Sequence, residues 1–189
     1  MSARVVLGVS GASGALLALA VAEALVRVGA DIDLVVSSAA KLTFATEADM
    51  GALERLQGMA AHHHAIGNVG AAIASGSCPV AGMIVAPCSM RSLAAVAHGL
   101  DDNLLTRAAS VQLKERRPLI LLAREAPLTL AHLRNMTAVT EMGGIILPPV
   151  PAFYLKPQTA EEIATQIGAR AVDLLRLGPA QAQAWSPSP

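Results

Sequence analysis

The sequence predicts a doubly wound α/β fold, a mainly parallel sheet with helices on both faces. Three observations predict it. Segments of strand length alternate along the chain with segments of helix length. The strand segments are continuous apolar runs, the pattern of strands buried on both sides. The chain also opens on a strand, a Gly/Ser turn, an apolar helix and a second strand, a βαβ unit whose crossover requires parallel strands.

Each element has its own signal. Arg4 to Val9 (RVVLGV) is a β-branched run that stops at Ser10-Gly11-Ala12-Ser13-Gly14. Residues 15–28 form an almost wholly apolar helix, with Glu23 and Arg27 paired on its one polar stripe and Gly29 at its end. Asp31 to Val36 (DIDLVV) is the second strand. Residues 39–47 read as a helix and 49–61 as another, whereas 62–77 is polar, contains glycine and carries no pattern that assigns it. Residues 83–86 are a buried strand ending at Pro87-Cys88-Ser89, and helices over 90–97 and 103–115 are separated by His98-Gly99. A strand over 119–123, a helix over 128–142 and a last strand over 144–147 follow, closed by Pro148-Pro149. Thr159 caps a final helix over 160–175, with Glu161 and Glu162 in the first turn where the helix dipole favours them. The arrangement is Rossmann-like: one domain over residues 1–176, then an Ala/Gln/Pro/Ser tail over 177–189 that reads as flexible. Trp185 in that tail reads as an isolated anchor onto a neighbouring subunit.

Composition narrows the functions. Hydrophobic residues are 53% of the 189 and charged residues 15%, little solvated surface for a monomer, so self-association is expected. Fourteen Lys+Arg balance fourteen Asp+Glu, which leaves no overall field to draw the chain onto nucleic acid or an anionic membrane. The 2% aromatic content also argues against a single-strand binder. Cys78 and Cys88 are too few for a disulfide framework or a zinc site, which fits a reduced, cytoplasmic setting. The apolar N-terminus is interrupted by Gly11, Ser13 and Gly14 and ended by Glu23, against a signal peptide, and no stretch reaches the ~20 apolar residues of a membrane span.

In an open parallel sheet, ligands lie beyond the carboxyl ends of the strands. Those ends hold Ser10 to Gly14, Ser37-Ser38, Pro87 to Arg91, Arg124-Glu125 and Pro148 to Tyr154, a concentration of hydroxyls, glycines and charges unlike the core. The Gly11–Gly14 turn offers backbone N–H groups and the Ser13 hydroxyl at a helix start, which suits a phosphate; the same glycines also serve a tight turn with no ligand. A dinucleotide fits less well, because the second strand ends in Ser37-Ser38 where an acidic residue would hold a ribose diol; a flavin mononucleotide lacks that requirement. Arg124 can clamp a phosphate or flavin carbonyl and Glu125 can exchange protons, or the two can form a structural ion pair. Glu47 is ambiguous in the same way. Arg107 and Lys114, seven apart, share a helix face and direct two cations at one anion, unless that face is simply solvated. His62-His63-His64 cannot all face one metal and read as a surface segment, and Cys88 lacks a partner that would make it a nucleophile. No metal site is expected.

Several segments together resemble the UbiX-type flavin prenyltransferases. They are Gly8-Val9-Ser10-Gly11-Ala12-Ser13-Gly14-Ala15, Ala45-Thr46-Glu47, Ser75-Gly76-Ser77, Ala86-Pro87-Cys88-Ser89-Met90, and the run from Asn103 through Arg107, Lys114-Glu115-Arg116-Arg117-Pro118 and Arg124-Glu125-Ala126-Pro127-Leu128. Residues 146–154 and Lys156-Pro157-Gln158-Thr159 extend the match, which covers about residues 4–175 in family order. The resemblance implies an enzyme that joins a dimethylallyl group from dimethylallyl phosphate to reduced FMN across N5 and C6, without a metal, and supplies prenylated FMN to a UbiD-type decarboxylase. By motif, Gly11, Ala12, Ser13, Ser37, Ser89, Met90, Arg91, Ser92 and Arg124 would hold FMN. Arg107, Lys114, Tyr154 and Arg170 would surround the dimethylallyl phosphate. Ser13, Glu47 and Glu125 would handle phosphate departure and proton transfer, and a homododecamer is implied. The sequence departs from the family where Ile66-Gly67-Asn68-Val69-Gly70 lacks an aromatic and where Leu133-Arg134-Asn135 replaces Leu-Glu-Asn. Two other readings remain: an FMN-dependent cysteine decarboxylase, against which the Pro87-Cys88-Ser89-Met90-Arg91 loop lacks Asn, and a non-catalytic flavin carrier.

Overall fold

Every apolar run named above becomes a strand, and all of them lie parallel. The computed structural model describes residues 2–186. The strands are β1 (Arg4–Val9), β2 (Asp31–Val36), β3 (His62–His64), β4 (Gly82–Cys88), β5 (Leu119–Ala123) and β6 (Ile145–Ile146), in the spatial order β3-β2-β1-β4-β5-β6. Register is in phase across the centre: Val6 of β1 lies opposite Asp33 of β2 and Met83 of β4.

The helices are α1 (Ala15–Arg27), α2 (Ser38–Glu47), α3 (Ala52–Gly58), α4 (Met90–Ala97), α5 (Leu104–Lys114), α6 (Leu130–Glu141) and α7 (Ala160–Asp173). Hydroxyl and amide caps start five of them: Ser37, Ser89, Asn103, Thr129 and Thr159 each accept a bond from a backbone N–H in the first turn. One such cap and one glycine account for two shifted boundaries. The helix expected from 128 starts at Leu130, behind the Thr129 cap, and the one expected from 49 starts at Ala52, behind Gly51 at φ 97°.

Two cores flank the sheet. On one face Leu7, Ile32, Leu34, Ile84 and Ile120 pack against α1, α7, Phe44 and Leu56. On the other, Val6, Val35, Met83, Val85 and Leu121 meet Leu93, Leu104, Leu105, Ala108 and Val139. Gly168 lets α7 touch α1, since a Cβ there would stand 2.7 Å from the Ala20 carbonyl carbon.

Three observations depart from the sequence reading. His62 to His64, expected as a surface segment, is the edge strand β3; His62 and His63 are exposed, but His64 turns inward to Asp33, its Nε2 2.8 Å from Oδ1. The tail expected to be flexible is pinned. The backbone N–H groups of Gln181 and Ala182 donate to Asp173 (2.8 and 3.0 Å), the Gln181 amide donates to the Ala24 carbonyl (3.0 Å), and Gln183 and Gln166 exchange two bonds. Residues 187–189 of that tail lie outside the described residues. The last strand is only two residues long.

Asp33 is wholly buried on β2, and Arg4 grips it with two bonds of 2.8 and 3.0 Å while His64 adds a third. Burial alone would raise its pKa, but the Arg4 and His64 bonds outweigh it and hold the carboxyl below its ordinary range. Its stabilisation is therefore complete above the unfolded-state pKa, ~4, and is lost as pH falls through the lower folded value. Arg4 is partly exposed, which softens the pair, so Asp33→Asn is expected to cost about 2–3 kcal/mol at pH 7. Urea denaturation of both proteins at pH 7 and pH 3 checks this: the gap should narrow in acid.

Candidate functional site

The strand order reverses direction at β1: the chain leaves it toward β2 and β3, then returns to its other side for β4. That reversal opens a crevice between the carboxyl ends of β1 and β4, the place where such folds bind ligands. One side chain ties its rim together. Ser10, buried at 2% exposure, donates from its hydroxyl to the Pro87 carbonyl (2.9 Å) and accepts from the Ser89 N–H (2.7 Å). Backbone bonds continue the tie: Ser10 N–H to Pro87 (3.2 Å), Arg124 N–H to Cys88 (3.1 Å) and Ser37 N–H to Val9 (3.0 Å). Four sequence segments expected to meet, after β1, β2, β4 and β5, thus form one edge. Ser10 itself had no assigned role; its position at the last turn of β1, directly before the glycines, was the available signal.

The glycine turn is divided in use. Gly14, at φ 129°, and Ala15 give their N–H groups to the Glu47 carboxylate at 2.7 and 3.2 Å, so the start of α1 already carries an anion supplied by the end of α2. Burial opposes ionisation of Glu47, but the Gly14 N–H, the neighbouring Ser13 hydroxyl, the Ala15 N–H and the positive charge of Arg124 prevail, and its carboxyl lies below the ordinary range. Glu47 is thus a carboxylate, able to accept a proton. The phosphate expected at the turn as a whole must use what Glu47 leaves: no bond among the described residues engages the N–H groups of Gly11, Ala12 and Ser13.

The starts of two more helices, α2 and α4, follow β2 and β4 at the same edge of the sheet. Ser37 and Ser89 cap α2 and α4, at 3.1 and 3.3 Å, and their side chains leave the first N–H groups of each helix directed at the crevice. A Cβ on Gly11 would stand 2.3 Å from Ala39 Cβ, which explains the glycine: the turn presses onto the first turn of α2. Around the rim, Ser92 is buried under the Ser89 hydroxyl (3.2 Å) and Met90 is half-buried. Arg124 is exposed and, among the described residues, pairs with no side chain; the structural pair with Glu125 considered above does not form. Glu125 instead accepts from the Ala126 N–H at 3.0 Å. Arg91, assigned to the cofactor by motif, is held by Asp102. Clustered N–H donors, hydroxyls and one open guanidinium form a donor set suited to the phosphate monoester of a flavin mononucleotide, and the residues present fit that group.

The other assigned residues lie elsewhere in the protomer. Tyr154 and Arg170 come together with Leu147, Pro148 and the 65% exposed Trp185 around a cavity of about 440 Å³. Arg107 and Lys114 lie on the opposite face of the sheet, on α5. Seven residues separate their Cα atoms by about 10 Å along the axis, and within the protomer each has a partner of its own. Arg107 binds the Ala74 carbonyl (3.1 Å) and Asp101 (3.0 Å), while Lys114 binds Glu115 over Gly76. Cys88 is fully buried in an apolar setting that pushes its thiol up to about 12, which removes it as a nucleophile. Among the described residues no group of three or more His, Cys, Asp or Glu is placed to hold a metal, and no helix is long and apolar enough to cross a membrane.

Comparison with known proteins agrees in family and fold. The Flavoprotein family matches residues 1–171. The chain is 50% identical over 185 residues to the flavin prenyltransferase UbiX of Neisseria meningitidis serogroup B, covering 98% of this chain and 97% of the relative. It is 45% identical over 172 residues to that of Escherichia coli K12, covering 90% of each. The crystal structure of AnUbiX in complex with FMN and dimethylallyl pyrophosphate superposes with a TM-score of 0.95 at 41% identity, covering 100% of both chains. A dodecameric FMN-dependent UbiX-like decarboxylase from Escherichia coli O157:H7 superposes at 0.92 and 39%, covering 97% and 100%. The FMN-dependent cysteine decarboxylase TvaF, at 15% identity and a TM-score of 0.62, shares the fold alone.

The geometry around Glu47 predicts its titration. Ser13→Ala and Arg124→Ala should each move the Glu47 midpoint upward, toward ~4.3, with the larger move in Ser13→Ala. Carboxyl ¹³C NMR with selective labelling measures it; a midpoint unmoved in both variants contradicts the arrangement.

Proposed function

The chain belongs to the UbiX family of flavin prenyltransferases, and from that premise we propose that it joins the dimethylallyl group of dimethylallyl phosphate to N5 and C6 of reduced FMN and releases phosphate. The prenylated FMN serves a UbiD-type decarboxylase, and the reaction runs in the cytoplasm without a metal. One observation of the site carries the reading: an ionised Glu47 stands on Gly14 and Ala15 directly beside three N–H groups that have no partner among the described residues.

Reduced FMN, when bound, supplies electron-rich N5 and C6 and a flat ring face beside the allyl group. Gly11, Ala12 and Ser13, with Ser37, hold its phosphate through N–H and hydroxyl donors. The segment from Ser89 through Met90 and Arg91 to Ser92 and the Arg124 guanidinium hold the remainder. Bond formation at N5 and at C6 each releases a proton. Glu47 would accept one and return it through Ser13 beside it to the departing phosphate, while Glu125, exposed on the same rim, would move the other to the allyl carbon that lies between the two newly bonded ones. As negative charge grows on the leaving phosphate, Arg107, Lys114 and Arg170 neutralise it and the Tyr154 hydroxyl donates to it. Within one protomer these four lie on both faces of the sheet, which supports a homo-oligomer, a dodecamer as in the similar Escherichia coli protein, that assembles the donor site between copies.

The test is direct. Purified protein incubated with reduced FMN and dimethylallyl phosphate should yield, by mass spectrometry, a flavin heavier by one prenyl unit; bound FMN with no mass gain favours a carrier. Glu47→Gln keeps the shape but cannot exchange the proton, so FMN binding should survive while single-turnover prenyl transfer slows by at least ~10². Turnover at the unsubstituted rate would remove Glu47 from the chemistry.

A further inference from the structure

We infer that Asp101 is a positioning residue, whose carboxylate fixes the orientation in which Arg107 meets the phosphorylated donor; the inference rests on the prenyl-transfer reading above. Asp101 lies in the loop between α4 and α5, and neither composition nor motif singles it out. Its two oxygens are both engaged. Oδ2 accepts from an Arg107 terminal nitrogen at 3.0 Å, and Oδ1 accepts from the Ser110 hydroxyl at 2.5 Å. Ser110 is one helical turn beyond Arg107, so the carboxylate bridges that turn of α5 and is held by a group other than the arginine it orients. It is therefore a template for Arg107 and not a loose counterion.

Arg107 has a second anchor. Its Nε donates to the Ala74 carbonyl at 3.1 Å, and that carbonyl belongs to a segment itself fastened to the turn that follows α5, because Arg117 binds the carbonyls of Gly76 and Cys78 at 2.7 and 2.8 Å. A guanidinium is planar and carries five N–H donors. Anchors at two different nitrogens fix its plane and leave the other donors in a set direction. The pair is also more enclosed than the chain's surface pairs: Arg107 and Asp101 side chains are 37% and 28% exposed, against 58% and 55% for Arg91 and Asp102. The arrangement sacrifices some positive charge for orientation. A phosphate arriving at Arg107 meets donors that need no rotamer search, which strengthens binding through lower ordering cost.

The experiment uses the full chain with reduced FMN, and measures kcat and KM for dimethylallyl phosphate, FMN affinity and Tm. Asp101→Ala should raise KM for the donor ~3- to 10-fold while FMN affinity and Tm stay unchanged. Asp101→Asn, which keeps an acceptor in place, should restore KM to within about 2-fold of the unsubstituted value. In an Arg107→Ala background, Asp101→Ala should add nothing, since the two residues act as one unit. A donor KM that is unchanged or lower in Asp101→Ala, or losses that multiply in the double variant, overturns the inference. If Arg107→Ala raises KM and Asp101→Ala does not, the inference alone falls. If Arg107→Ala leaves KM unchanged, or the unsubstituted protein makes no prenylated flavin, the functional reading falls and takes the inference with it.

Discussion

The site depends on a single hydroxyl. Ser10 bonds the carbonyl of Pro87 and the N–H of Ser89 across the gap between β1 and β4, in a position buried from water. A serine can donate and accept at once, so one side chain satisfies the Ser89 N–H, which an apolar residue would leave unpaired at about 1–3 kcal/mol, and adds a second bond to the Pro87 carbonyl, which the Ser10 N–H also reaches. That tie sets the spacing between the glycine turn and the start of α4. The turn in turn bears on α2 through Gly11 and Ala39, and α2 carries Glu47 back to the start of α1. The loop of contacts closes on itself, which is how three helix starts and a carboxylate are held in one crevice with few charges.

Scarce charge elsewhere is used in the same economical way. Arg4 holds buried Asp33, Arg117 holds two carbonyls of the 76–78 segment, and Arg107 holds Ala74 and Asp101. Lys114 and Glu115 cross that segment at Gly76, with the Glu115 carboxylate lying over the space a Cβ would take. Arg124, by contrast, is exposed at the crevice with no side-chain partner among the described residues, consistent with a group kept for a ligand.

The sheet was legible because each strand but one is an apolar run, and burial on both faces demands nothing subtler. His62 to His64 escaped because its pairing comes from the free edge of β2 and from Asp33, neither of which leaves a hydrophobic pattern in its own residues. The rule that ligands gather at strand carboxyl ends pointed to the segments of Ser13, Ser37, Ser89 and Arg124, and the strand order sets those segments side by side at one edge of the sheet. Other features were not. That Glu47 takes two N–H groups of the turn depends on how α2 is angled onto α1, and helix periodicity carries no such information. Arg107 and Lys114 share a helix face as their spacing requires, yet each finds a local partner in a neighbouring loop. The tail looked loose by composition, but the Gln181 amide docks on α1 and the Gln183 backbone pairs with the Gln166 amide of α7.

The central claim is that Glu47 keeps the start of α1 while the cofactor phosphate takes the neighbouring N–H groups. A crystal structure of the FMN complex tests it most directly. The account predicts phosphate oxygens within hydrogen-bond distance of the Gly11, Ala12 and Ser13 N–H groups, with Glu47 still on Gly14 and Ala15. A phosphate seated on Gly14 and Ala15, with Glu47 displaced, would contradict it.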